Sequence, residues 1–364
     1  MDSTLSGLEL ARRFYLQALR PILDAAFPDL PHSAALIGTG SEVLGFDTVM
    51  SRDHNWGPRL DLFLSEPDHA RWAEDVRAVL GQRLPFEFLG HPTHFEKAPN
   101  DPTSLVPKHT RIRPLQHRVQ VLTLRGFLSE YAGLQAGSEP TLMDWLAVPV
   151  QKLRTLTAGA VYHDGLGALE PLRRSLAYYP HDVWLYLLSA AWQRIGQEEP
   201  FVGRAGSVGD EVGSAVIAAR LVRDAMRLAM LMERQYAPYS KWFGFAFGRL
   251  NCATALAPLF AQALRAEVWQ ERQRHLASAY ELLARMHNSL HITDPVATQS
   301  RCFHERPFLV IGGEEIAQRL WDAIRDPKVR ALPYGVGKVD QFVDSTDVLS
   351  HDGRCRSLLA ELRA

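Results

Sequence analysis

Ile37-Gly38-Thr39-Gly40-Ser41 and, one short spacer later, Ser51-Arg52-Asp53-His54-Asn55-Trp56 decide how the first half of this chain reads. Apolar Ala34 to Ile37 read as a short strand. Glycines 38 and 40 let the following turn take positive φ and bring backbone N–H groups close to an anion, and Ser41 adds a hydroxyl there. Asp53 then stands as a candidate metal ligand, because transfer at phosphorus depends on a cation that neutralises phosphate oxygens. The plainer alternatives are a simple strand-to-helix turn at Gly40-Ser41 and a turn aspartate at position 53 capping the amides of Asn55 or Trp56. Downstream, Arg59-Leu60-Asp61-Leu62-Phe63-Leu64 alternates: Leu60, Leu62 and Leu64 share one face of a strand, and Arg59, Asp61 and Phe63 the other. Asp61 is the candidate second carboxylate. Arg52, His54 and Arg59 suit phosphate oxygens, or ion pairs with Asp47 or Asp61.

Gly40-Ser41, a spacer and Asp53-His54-Asn55 together resemble the nucleotidyltransferase superfamily, whose pattern is a Gly-Ser turn followed by an Asp-x-Asp or Asp-x-Glu pair that holds magnesium. More narrowly, Gly40-Ser41-Glu42-Val43-Leu44-Gly45-Phe46-Asp47 and Ser51 to Pro58 look like the bacterial proteins that carry the domain of unknown function DUF4037. The likeness continues through His181 to Trp184, Gln197 to Arg204, Tyr239 to Trp242 and Val339 to Phe342. It implies Mg²⁺ held by Asp53 and Asn55, and a nucleoside triphosphate bound at Gly40, Ser41, Arg52 and Arg59. A hydroxyl of a small-molecule acceptor would attack the α-phosphate and release pyrophosphate. This sequence departs from the pattern at Asn55, which ligates through a neutral carbonyl where the pattern has a carboxylate. Arg118 to Leu122 read as the strand expected to bring a third carboxylate, and its outward position holds neutral Gln120. Asp61 is the residue that compensates in this reading. The two neutral positions support an alternative, a nucleotide-binding sensor that has lost its chemistry; a third reading is a partner-binding scaffold.

At 364 residues the chain suits two domains. Helical spacing from Leu8 to Ala26, strand, turn, strand, and a helix from Glu66 to Leu84 behind Ser65 as N-cap give a small α/β domain over residues 1–150. His91 to Pro114, rich in Pro, His and Asn, reads as a long surface loop and a possible cover for the nucleotide. From 151 to 300, His181–Gln197, Gly209–Arg234, Ser240–Leu264 and Glu267–Leu290 have helical periodicity and form a bundle, which resembles the substrate domains of kanamycin-type nucleotidyltransferases. Residues 301–364 form a C-terminal extension, with a strand at Pro307–Ile311, a helix at Glu314–Arg325 and an extended acidic stretch at Val339–Leu349. The fold class is therefore α+β, with the site expected in a cleft between the two domains.

Within the helical half, Glu198 and Glu199 sit in a Pro/Gly-punctuated stretch that either aims one carboxylate at the acceptor hydroxyl, with Glu199 as the candidate general base, or is a helix C-terminus with ordinary surface acids. Lys241 is a candidate triphosphate contact, in a loop where Tyr236, Tyr239 and Trp242 offer rings for stacking or for packing. Arg220 and Asp224 are neighbours at i,i+4. His287 and His291 share helical spacing, but without a Glu after the first His or a third ligand they do not read as a zinc site. Asp340, Asp344 and Asp347 read as capping and surface acids.

A net charge of −1 gives no support to a broad nucleic-acid surface. Three scattered cysteines suggest neither disulfides nor a zinc site and fit a reducing cytoplasm. No stretch reaches the roughly 18 apolar residues that span a bilayer, so a membrane partner is not expected.

Overall fold

Alternation along residues 59–64 sets the two faces of a four-stranded mixed sheet. In chain order its strands are β1 (Ser33–Leu36), β2 (Arg59–Leu64), β3 (Arg118–Thr123) and β4 (Ala160–Asp164), arranged β3-β2-β1-β4. β1 runs antiparallel to β2 and to β4, and β2 runs parallel to β3. A parallel pair needs a crossover, and here it contains the helix Glu66–Arg83, capped as expected by the Ser65 hydroxyl, which accepts the Asp68 N–H at 3.2 Å. The computed structural model describes residues 5–52 and 55–361.

One face of the sheet is closed by apolar packing. Leu60, Leu62, Leu64, Val119 and Val121 share a core with Leu10, Phe14 and Leu19 of the opening helix and with Val76 and Leu80 of the crossover helix. The opening helix is two α-helical pieces, Gly7–Phe14 and Arg20–Ala26, joined through a π-helical stretch at Tyr15–Leu19. The opposite face carries Ala35, Ile37 and Phe63 against Leu169, with Phe127 beside them.

Two segments of the first unit differ from the sequence reading. The stretch expected to be a surface loop from His91 to Pro114 is largely a β-hairpin, Phe95–Ala98 paired with Asp101–Pro107, preceded by a two-residue ladder between Glu87–Phe88 and His91–Pro92. Its prolines stand at strand ends and edges, where a missing N–H costs no ladder bond, and buried Phe95 anchors it. The second difference is β4. The chain divides into one unit of Met1–Pro140 with Lys152–Ala177 and another of Thr141–Gln151 with Tyr178–Ala364. The boundary expected at residue 150 is thus crossed again, because β4 returns to pair with β1.

The second unit is built on the helix His181–Glu198, whose residues Val183 to Ala191 are all buried. It packs against the helices Glu211–Met232 and Gly313–Ala323. The latter crosses it closely at Gly196 and Gly313, where an added Cβ would overlap the other helix's backbone. The helix expected over Ser240–Leu264 is broken into Ser240–Phe247 and Ala253–Arg265, and the Glu233 carboxylate accepts the Asn251 and Cys252 N–H groups at the break. The tail strand pairs as a hairpin, Arg301–Phe303 with Arg306–Val310. Val339–Leu349, expected extended, forms two short helices, Val339–Phe342 and Thr346–Leu349. Among the described residues no helix is long and apolar enough to cross a membrane.

Candidate functional site

The turn after β1 is built as the glycine spacing implies. Gly38 has φ +80° and Gly40 φ +137°, both conformations that L side chains rarely adopt. A Cβ at Gly40 would overlap the Arg59 guanidinium and the Glu42 carboxylate. Arg59 Nε donates to Glu42 Oε1 at 2.7 Å and Nη2 to the Thr39 carbonyl at 2.5 Å, so the guanidinium supports the turn from below. Further bonds fix it: Gly38 N–H donates to Thr155 O, Gly45 N–H to Glu42 O and Phe46 N–H to Ser41 O. Among the described residues the Thr39 and Gly40 N–H groups donate to no protein acceptor.

Asp61 lies opposite Ala35 on one side and Gln120 on the other. It is buried, accepts a bond from the Ile37 backbone, and is in no ion pair among the described residues. Burial pushes its pKa up to about 6, against the opposing pull of Arg59, the Ile37 N–H and Arg118. Burial likewise pushes Arg118 down to about 10, and nearby Arg59 adds to that effect. Glu42, Arg59, Asp61 and Arg118 are therefore a compact four-charge group beneath the turn.

Asn55 does not offer the free carbonyl expected of a metal ligand. It sits at φ +55°, and its Oδ1 accepts Arg118 Nη1 at 2.6 Å and the Leu105 N–H at 3.2 Å. Its own N–H donates to Leu105 O at 2.7 Å. The side chain thus ties the hairpin to β3. Asp53 and His54, the leading metal ligand and its neighbour in the sequence reading, lie outside the described residues.

Arg52 and Arg59, read as suiting either phosphate oxygens or ion pairs with Asp47 or Asp61, are both engaged by protein groups. Arg52 Nη2 donates to Leu5 O at 2.9 Å, lies 3.7 Å from Asp47 Oδ2, and its guanidinium stands 4.5 Å from the Trp56 ring centroid. Asp47 also accepts the Gly7 N–H and Trp56 Nε1. Gln120 points outward and is exposed. Among the described residues no group of three or more His, Cys, Asp or Glu side chains can hold a metal. Asp61 alone, flanked by two guanidinium groups and an occupied Asn55, does not fit Mg²⁺, which takes one or two carboxylates along with substrate phosphates.

In the second unit Glu199 is not a base aimed into open space. Its carboxylate accepts the N–H groups of Ile311 at 2.5 Å and of Gly312 and Gly313 at 3.1 Å. It caps the start of the helix Gly313–Ala323, satisfying donors that a helix N-terminus leaves open. Burial pushes its pKa up to about 7 in spite of those three donors. The nearest sequence signal was the Pro200 punctuation, and it said nothing of a partner more than a hundred residues away. Arg220 and Asp224 do not pair with each other: Arg220 meets Glu198 at 2.9 Å and Asp224 meets Arg194 at 3.4 Å. Lys241 is exposed, with its ammonium 5.1 Å from the Trp242 ring centroid. His287 is buried with Nε2 2.9 Å from the Thr293 hydroxyl. Asp340, read among capping and surface acids, is buried, accepts the N–H of Val150 where the helix Val150–Thr157 begins, and pairs with Lys338 at 2.8 Å.

Residues 145–243 match the family model of DUF4037, a domain of unknown function. Those residues are similar to the DUF4037 domain. The DUF4037 match takes in β4 and the helices His181–Glu198 and Glu211–Met232, so it covers the place where the chain passes between its two units. A solved structure, of a nucleotidyltransferase-like protein from Exiguobacterium sibiricum, is 15% identical over 79% of this chain and 82% of that one, with a TM-score of 0.33. No curated protein matches the chain.

Proposed function

We propose that the first unit is a nucleotidyltransferase-type module that binds a nucleoside triphosphate at the Gly40-Ser41 turn. In this reading it passes a nucleoside monophosphate to a hydroxyl of a small-molecule acceptor and releases pyrophosphate. The observation that carries the proposal is the turn itself: Gly40 at φ +137° leaves no space for a side chain above the Glu42–Arg59 pair. Two adjacent N–H groups there have no acceptor among the described residues, which is the backbone arrangement that receives phosphate oxygens. Positioning and charge neutralisation supply most of what transfer at phosphorus requires of a protein. Magnesium enters the proposal only through Asp53, because the described carboxylate and amide do not make its site.

Asn55 favours a second reading, a nucleotide-binding protein without turnover. Its carbonyl is already taken by Arg118 and Leu105, and Gln120 beside Asp61 is neutral. One experiment separates the readings: calorimetric titration of ATP, GTP, CTP and UTP, each with and without Mg²⁺, with pyrophosphate release followed on the same samples. Binding with slow pyrophosphate release supports transfer. Binding with no release under any acceptor supports the second reading, and no binding of any nucleotide rejects both.

A further inference from the structure

The second unit contains a cavity of about 520 Å³ lined by Arg194, Arg220, Arg223, Asp340, Phe342 and Asp344, among others. That volume is in the range of sites for small ligands, roughly 300–1,000 Å³. Three elements supply the walls. The helix His181–Glu198 gives Arg194, the helix Glu211–Met232 gives Arg220 and Arg223, and the segment through the short helix Val339–Phe342 closes the third side.

The three guanidinium groups are unequally neutralised. Arg220 meets Glu198 at 2.9 Å, but Arg194 reaches Asp224 only through long contacts of 3.4 and 3.5 Å. Arg223 Nη1 donates to Asp344 Oδ2 at 2.8 Å, while its Nε, although buried, has no partner among the described residues. Asp340 is neutralised by Lys338. Arg227, next to the group, donates to the Asp340 carbonyl, and burial chiefly, with Arg223 and Arg194 adding to it against Asp340 and Asp224, holds its pKa below the usual arginine value. The balance therefore falls on Asp344, whose side chain is 68% exposed in the turn after the short helix. An exposed ion pair of this kind is weak.

We propose that this cavity binds a phosphorylated small molecule, with Arg194, Arg220 and Arg223 as phosphate ligands and Asp344 as the carboxylate that the phosphate displaces. A phosphate monoester brings up to two charges and three acceptor oxygens against the single charge of Asp344, and the guanidinium fork matches phosphate in two parallel bonds. Ala219, Phe342 and Val343 add apolar wall, so the organic part of the ligand has a surface to cover. The site belongs to the second unit alone and does not depend on the Gly40 turn.

The test uses the full chain and calorimetric titration of inorganic phosphate and phenyl phosphate, with acetate as the single-charge comparison. Phenyl phosphate is expected to bind more tightly than phosphate, and acetate not at all. Arg223→Gln should weaken phenyl phosphate at least tenfold, and Asp344→Asn should tighten it several-fold. Both substitutions break the same ion pair, so a merely structural role would move binding in the same direction in both. Absence of phenyl phosphate binding, or affinity unchanged in Arg223→Gln, or weakened binding in Asp344→Asn, overturns the proposal. Phosphate held at the Gly40 turn would give the second of those results.

Discussion

A single hydrogen at position 40 allows the turn after β1 to close over the arginine beneath it. Gly40→Ala introduces a Cβ into the space of the Arg59 guanidinium, at a φ that L residues avoid. The expected result is a stability loss of about 1–3 kcal/mol together with loss of the proposed nucleotide binding, read by urea unfolding and calorimetry on one sample. Glu42→Ala should cost more, about 3–5 kcal/mol, because it leaves Arg59 buried without its partner. Replacing both by Leu and Met should cost clearly less than the single change, since the uncompensated charge is gone. Asp61 carries a pH signature. Its folded pKa of about 6 lies above the ordinary 3.8, chiefly through burial, so the folded chain holds this proton where the unfolded chain has lost it. Its contribution to stability is complete below about pH 4 and disappears as pH rises through about 6. Asp61→Asn should therefore gain stability relative to the parent chain between pH 4.5 and 7.5, measured as a shift in urea midpoint; an unchanged difference across that range would rule out the raised pKa. The facing of Asp61 and the φ demand at Gly40 were legible in local pattern, one as alternation and the other as glycine spacing. Asn55 was not, because its partners Leu105 and Arg118 lie 50 and 63 residues along the chain. No local spacing records a bond of that range.

At the scale of elements, legibility followed the strength of the apolar period. The crossover helix announced itself by Ser65, its apolar positions and Pro85, and Ser65→Ala should cost about 1 kcal/mol in thermal or urea unfolding, the usual worth of an N-cap. The long helices His181–Glu198, Glu211–Met232 and Trp269–Ser289 were equally plain. The hairpin Phe95–Ala98 with Asp101–Pro107 was hidden because a two-stranded ladder needs few apolar residues and tolerates proline at its edges. β4 was hidden for a different reason. All five of its residues are only partly buried, so edge position removed the hydrophobic signal that marks a central strand. The broken helix at residues 248–252 reflects a carboxylate, Glu233, reaching back to the break, an arrangement that periodicity does not encode.

For the whole molecule, the decisive fact is that the first unit is discontinuous in sequence. A chain cut after Val150 lacks β4 and leaves β1 with an unpaired edge, which invites pairing with other chains. A chain cut after Ala177 retains all four strands. The shorter piece should aggregate and the longer one should remain in solution with a native circular dichroism spectrum, as gel filtration and spectroscopy would show; equal behaviour would remove β4 from the set of elements the first unit requires. The same discontinuity orders events on the ribosome. β3 ends at Thr123 and β4 begins at Ala160, so at synthesis rates of about 5–20 residues per second the nascent sheet waits roughly 2–8 s for its last strand. During that interval the helix Leu142–Ala147, which belongs to the other unit, emerges first. Translation speed across residues 124–164 is thus a variable in the yield of soluble protein, and synonymous codons there carry a consequence that no substitution would reveal.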